Sequence, residues 1–176
     1  MIFFCLVSLI EEGGDEVKEF EEIYRLYFMD VFRYLRGLTA DEHLAEELTS
    51  ETFFKAMKSI KSFKGDCDVR VWLCQIAKNS YYSQMRKEQK VVSDEDTIAL
   101  QESSENIEHM FVDKDQAFLL YQKLHALKEP YKEVFSLRVF GELSFKEIGM
   151  LFEKSEHWAC VTFHRAKEKI RGGLQE

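Results

Sequence analysis

A single proline, Pro130, and eight glycines punctuate 176 residues. Folds built from strands need a turn cluster about every 8 to 12 positions. This chain has too few turn residues for that, so the sequence predicts an all-α protein without strands. Apolar residues make up 45% of the chain and aromatic residues 14%. That is enough to build packed cores in a soluble protein of one ordinary domain or two small ones.

Charge is distributed in blocks. The chain holds 32 acidic and 24 basic side chains, a net charge of -8. Residues 1–60 carry -7, residues 61–90 carry +4, residues 91–120 carry -7 and residues 121–176 carry +2. An acidic protein thus gathers its bases in two places.

Apolar residues at Val17, Phe20, Ile23, Tyr24, Tyr27, Phe28, Val31 and Leu35 recur every three or four positions, which predicts a helix from Asp15 to about Gly37, where the glycine closes it. Thr39 and Glu42 have capping-box spacing and predict a second helix from about Ala40 to Ile60, with Leu44, Leu48, Phe53 and Met57 inward. A loop containing Gly65 follows, and then a third helix from about Val69 to Lys87. Residues 89–106 lose periodicity and gain acid, Ser and Gln, as expected of a flexible linker. Further helices are expected from Ile107 to Leu127 and, with Pro130 in its first turn, to Phe140. The domain plan is an apolar extension at 1–14, a helical bundle at 15–90, an acidic linker at 91–106 and a second small helical domain at 107–176. The extension is about half the length a membrane span needs and lacks the features of a signal peptide; the four singly spaced cysteines fit a reducing cytoplasm.

Near the C-terminus, Ser144 and Glu147 form a second capping box. A short helix carrying Ile148 and Leu151, a turn over Glu153 to Ser155 and a longer helix from Glu156 to Arg171 complete a helix-turn-helix pattern, whose second helix can enter a DNA major groove. Short helical hairpins are also common packing units.

At 100° per residue, Val69, Leu73, Ile76, Ala77 and Ser80 of the third helix form a core face. Trp72, Gln75, Asn79, Tyr82 and Arg86 fall in a separate arc flanked by Lys78 and Lys87. Aromatics and Arg stack on bases, amides bond base edges, and lysines meet phosphates, so this surface suits melted nucleic acid. The alternative is that Trp72 and Tyr82 complete the core. The loop "SFKGDCD" places a glycine turn and a lysine where the wall of a pocket for one extruded base would stand.

Cys5, Cys67, Cys74 and Cys160 stand singly and the histidines are scattered. Neither a metal site, a disulfide framework nor an enzymatic nucleophile is indicated, and no cofactor is expected. Asp66 and Asp68 should raise the thiol pKa of Cys67, which favours a small side chain over a redox sensor.

From about Phe20 to Arg171 the chain resembles the bacterial RNA polymerase sigma factors of the extracytoplasmic-function (ECF) group. "HLAEELTSETFFKAMKSIKSFKGDCDVRVWLCQIAKN" is similar to the second conserved region of that family. "LHALKEPYKEVFSLRVFGELSFKEIGMLF" with "HRAKEKI" is similar to the fourth. The resemblance implies a non-enzymatic factor that binds core RNA polymerase, at the clamp helices of the largest subunit and at the flap, and directs promoter recognition and melting. It implies polymerase docking through Glu47, Ser50 and Glu51. It implies contact with the -10 element through Ser62, Phe63, Lys64, Gly65 and Asp66 of the loop and Trp72, Gln75, Lys78, Asn79, Tyr82 and Arg86 of the helix, with Asn79 facing the flipped base. It implies contact with the -35 element through Ser155, His157, Trp158, Val161, Thr162, His164 and Arg165. It also implies an anti-sigma partner and a role in a stress or envelope response. The chain departs from the family in having Cys160, Val161 and Thr162 where many relatives carry a basic residue. Arginine is the usual bidentate reader of guanine, so weak isolated affinity for -35 DNA is expected, with Val161 and Thr162 available to a thymine methyl. A stand-alone helix-turn-helix regulator is the second reading; it would bind duplex DNA without polymerase.

Overall fold

The computed structural model describes residues 14–92 and 114–172. The described residues form seven α-helices and no strand: α1 (Gly14–Leu38), α2 (Glu42–Ser59), α3 (Val69–Val92), α4 (Lys114–Ala126), α5 (Tyr131–Val139), α6 (Phe145–Leu151) and α7 (Glu156–Gly172), with a single 3-10 turn at Ile60–Ser62. Most of the expected extension (1–13), much of the expected linker (93–106) and the start of the expected fourth helix (107–113) lie outside the described residues.

Helix α1 is the hub. It packs against α2, α3 and α5, while α7 packs against α5 and α6. The central core joins Val31, Tyr34 and Leu35 of α1, Leu48 and Phe53 of α2, and Leu73, Cys74 and Ala77 of α3 to Val134 and Leu137 of α5 and Ile148 and Ala159 beyond it. Each large apolar side chain so buried contributes about 1.5–3 kcal/mol. A smaller cluster of Leu124, Phe135, Ala166 and Ile170 ties α4, α5 and α7 together. The N-terminal and C-terminal helices therefore share one interior.

Two expected helix boundaries need correction. Helix α1 runs past Gly37, because the Thr39 amide still donates to the Leu35 carbonyl at 2.8 Å. That leaves Thr39 buried at the end of α1, unable to cap the next helix. The cap of α2 is Asp41 in extended conformation (φ -111°, ψ 127°), whose carboxylate accepts from the Leu44 amide. The box at Ser144 and Glu147 forms as expected: the Ser144 amide donates to the Glu147 carboxylate at 2.7 Å and the Glu147 amide to Ser144 Oγ at 3.3 Å.

Candidate nucleic-acid and polymerase interface

Helix α3 presents two faces. Val71, Leu73, Cys74, Ala77, Ser80 and Tyr81 are buried: Val71, Cys74 and Tyr81 join the predicted stripe, while the predicted Val69 and Ile76 are half-buried against it. The opposite arc holds Gln75, Asn79 and Arg86; Asn79 and Arg86 are exposed. The Gln75 side-chain amide donates to Oδ1 of the exposed Asn79 at 3.1 Å.

The loop before α3 is braced from behind. Phe63 and Trp72 lie 4.8 Å apart at 30°, so Trp72 is half-buried beneath the loop and supports it. Ser62, Lys64, Gly65 and Asp66 are exposed, and Gly65 takes the left-handed conformation (φ +73°) that favours glycine. Asp68 Oδ1 accepts from the Arg70 amide at 2.8 Å and caps the start of α3.

Two predicted DNA contacts are not free in this state. Lys78 Nζ lies 3.3 Å from Glu133 Oε1 and 3.5 Å from the centre of the Phe152 ring. The Tyr82 hydroxyl donates to Glu133 Oε2 at 2.8 Å. Both partners come from the C-terminal helices, beyond the reach of a helical wheel.

On α2, Glu47 is exposed and Ser50 and Glu51 are half-exposed. Glu51 pairs with Lys55 at 2.6 Å, and Lys55 also donates to Ser80 Oγ at 2.9 Å. This acidic edge lies on the side of α2 away from its buried residues Ala45, Leu48, Thr49, Thr52, Phe53 and Ala56.

On α7, Ser155, His157, His164 and Arg165 are exposed and Val161 is half-buried. Ser155 Oγ accepts from the Trp158 amide at 3.1 Å and begins the helix. Trp158 leans on Phe152, ring centres 5.1 Å apart. The expected outward position of Thr162 is corrected: it is 5% exposed and shares the inner face of α7 with Ala159, Ala166 and Ile170. At 3.6 residues per turn, 159, 162, 166 and 170 fall on one side, so a small Thr serves packing there.

Gly149 was not singled out by the sequence, although a glycine inside a helical pattern is a signal for close approach. A Cβ at this position would lie 2.8 Å from the Lys154 carbonyl oxygen and 3.0 Å from the Ser155 carbonyl carbon. The tight turn between α6 and α7 depends on that missing atom. Gly149→Ala is therefore expected to lower stability by about 1–3 kcal/mol, measured as a fall in the urea midpoint at unchanged slope.

Cys67 is half-buried. Its thiol pKa is raised by burial first and then by Asp66, Asp68 and Glu147. Cys74 is fully buried and pushed up to about 12. Because the thiolate is the nucleophile, a raised pKa leaves less of it at neutral pH. Iodoacetamide should thus label Cys67 at pH 7 more slowly than an unperturbed cysteine, and Asp66→Asn with Asp68→Asn should speed labelling, as followed by peptide mass spectrometry. Equal rates would return Cys67 to the candidates for a redox sensor.

Among the described residues no group of His, Cys, Asp and Glu could hold a metal ion, and no helix is long and apolar enough to cross a membrane.

The Sigma-70 region 2 family matches residues 23–91, which span most of α1, all of α2 and most of α3. The chain is 31% identical over 154 residues to the ECF RNA polymerase sigma factor SigM of Bacillus subtilis (strain 168), covering 86% of this chain and 92% of that protein. It belongs to the ECF RNA polymerase sigma factors. This sigma factor is also 29% identical over 162 residues to the RNA polymerase sigma factor YlaC of the same strain, covering 88% of this chain and 91% of that protein. Its fold matches that of the sigma factor RpoE of Bartonella quintana, solved in complex with the anti-sigma factor NepR, with a TM-score of 0.78 at 21% identity, covering 90% of this chain and 98% of that chain. The family consists of transcription factors rather than enzymes.

Proposed function

We propose that this sigma factor docks on core RNA polymerase through Glu47, Ser50 and Glu51, reads and melts a -10 element with α3 and the loop before it, and reads a -35 element as duplex with α7. The observation that carries the reading is the arc of half-buried Gln75 and exposed Asn79 and Arg86 on the helix that follows a loop braced by Phe63 and Trp72. Amides and a guanidinium beside a ring-braced loop match the chemistry of an unstacked base and its phosphates. A charge of -8 repels the DNA backbone, so these surfaces act when polymerase holds them on the promoter. The protein works in the cytoplasm, where polymerase and promoter are, in a stress or envelope response held in check by an anti-sigma factor.

The test is run-off transcription from genomic fragments with purified core polymerase and the full chain. Discrete transcripts that require the chain support the reading and reveal the promoter; duplex DNA shifted by the chain alone, with no transcripts, sinks it in favour of a stand-alone regulator. Among the expected DNA-facing residues of α7 the Arg or Lys is Arg165, at mid-helix, while positions 160–162 carry no base. The free chain should accordingly bind -35 duplex no tighter than about micromolar at physiological salt, as read by fluorescence anisotropy; nanomolar binding would contradict it.

A further inference from the structure

Helix α2 carries one large apolar side chain on the wrong side for its own core. Phe54 is 36% exposed, while its neighbour Phe53 is buried with the rest of the inner stripe. At 100° per residue Phe54 falls two turns after Glu47 and within about 20° of it, opposite that stripe. Rotating α2 to bury Phe54 would bring the stripe out to water. Among the described residues the other exposed large apolar side chains are Leu26, Leu119, Val139 and Met150, on other helices and none of them aromatic.

The ring is also held ready. Lys58 Nζ, one turn further along the same face, lies 4.0 Å from the centre of the Phe54 ring. A cation over an aromatic face limits the freedom of the ring, so less of that freedom is lost on docking. Aromatic side chains are enriched at the buried centre of interfaces and charged ones are depleted there, which makes Phe54 a centre and Glu47 and Glu51 its flank. Charge decides what lies opposite. The two carboxylates repel phosphates, so the face does not suit DNA, and a second copy of the chain across a two-fold axis would set acid against acid. A protein surface with basic groups beside an apolar pocket fits.

We propose that Phe54 is the apolar anchor by which α2 docks on core RNA polymerase, and that the polymerase surface it meets offers basic groups to Glu47 and Glu51 and an apolar pocket to the ring. At the rise of an α-helix, that pocket stands about 10 Å along α2 from the group that meets Glu47 and about 5 Å from the one that meets Glu51. This rests on the reading that Glu47, Ser50 and Glu51 face the polymerase. The acids set partner and register, and the ring supplies the apolar burial that exposed charges do not.

The test titrates the fluorescently labelled full chain with purified core RNA polymerase and reads anisotropy, at about 0.1 M and about 0.5 M salt. Phe54→Ala is expected to weaken core binding about thirtyfold, the scale of an aromatic anchor, with the melting temperature nearly unchanged. The loss should persist at the higher salt, because burial of apolar surface is not screened. Phe54→Leu should recover most of the affinity, and Leu26→Ala, an exposed apolar side chain of α1, should bind as the wild type does. Phe54→Gln carries the same expectation as Phe54→Ala and keeps the test open if the alanine variant folds poorly. Truncation variants within about threefold of the wild type, or a loss seen at low salt alone, overturn the anchor. Glu47→Lys with Glu51→Lys in the same titration separates the two failures: loss of core there leaves the docking edge standing without its anchor, while retained affinity in both removes the edge as well. Sedimentation of the free chain closes the remaining route, since a wild-type dimer that Phe54→Ala turns into a monomer would give this face to a second copy and overturn the proposal.

Discussion

Glu47→Lys combined with Glu51→Lys is expected to abolish capture of core RNA polymerase while leaving the fold intact. Glu47 is exposed and Glu51 half-exposed, so neither change disturbs the buried stripe of α2. Glu51→Lys also exchanges the ion pair with Lys55 for a like-charge neighbour, a cost of a few tenths of a kcal/mol on an exposed helix face. At a docked interface, juxtaposed like charges cost several kcal/mol, so core affinity should fall about a hundredfold or more. The check is a pull-down of core polymerase beside a Glu21→Lys, Glu22→Lys control, which changes net charge equally at exposed positions of α1. If the Glu47 and Glu51 variant keeps its affinity, or the control loses as much, docking does not run through this edge of α2.

Asn79→Ala is expected to spare polymerase binding and to cripple melting. Its side chain is exposed and meets the Gln75 amide, so removing it should leave the helix and the melting temperature nearly unchanged. A side chain that holds a base by hydrogen bonds or stacking is worth about 1–3 kcal/mol, which corresponds to a loss of open complex of about 5- to 150-fold. Permanganate reactivity of unpaired thymines on a promoter found by run-off transcription measures this directly. Wild-type reactivity in the variant would mean that the flipped base sits elsewhere on the loop.

Much of the molecule could be read locally. The helices follow from apolar repeats at three and four positions and the cap at Ser144 from a four-residue pattern; of the arc read from the wheel of a single helix, Asn79 and Arg86 are exposed, while Trp72, Gln75 and Tyr82 are half-buried. Misreadings came where a neighbouring element competes. Thr39 has the chemistry of a cap, but α1 keeps it as the acceptor-seeking end of its own last turn, so Asp41 takes the role. Thr162 lies on a polar-looking stretch, yet it falls on the buried face of α7 between Ala159 and Ala166. Gly149 went without a reading, because what requires it is the turn beyond it, whose backbone comes within 2.8 Å of a Cβ placed there.

The sequence by itself determined that the chain is helical, where its bases and aromatics gather and to which family its motifs belong, because helix periodicity, capping and motif spacing are set within a few residues. Only the tertiary structure decided which of those groups are available. Glu133 is 99 residues from Tyr34 and 51 from Tyr82, and no local pattern shows that these hydroxyls and Lys78 converge on one buried carboxylate. That convergence follows from packing α5 against α1 and α3, which excludes water and leaves the acid no partners except the side chains the chain brings to it.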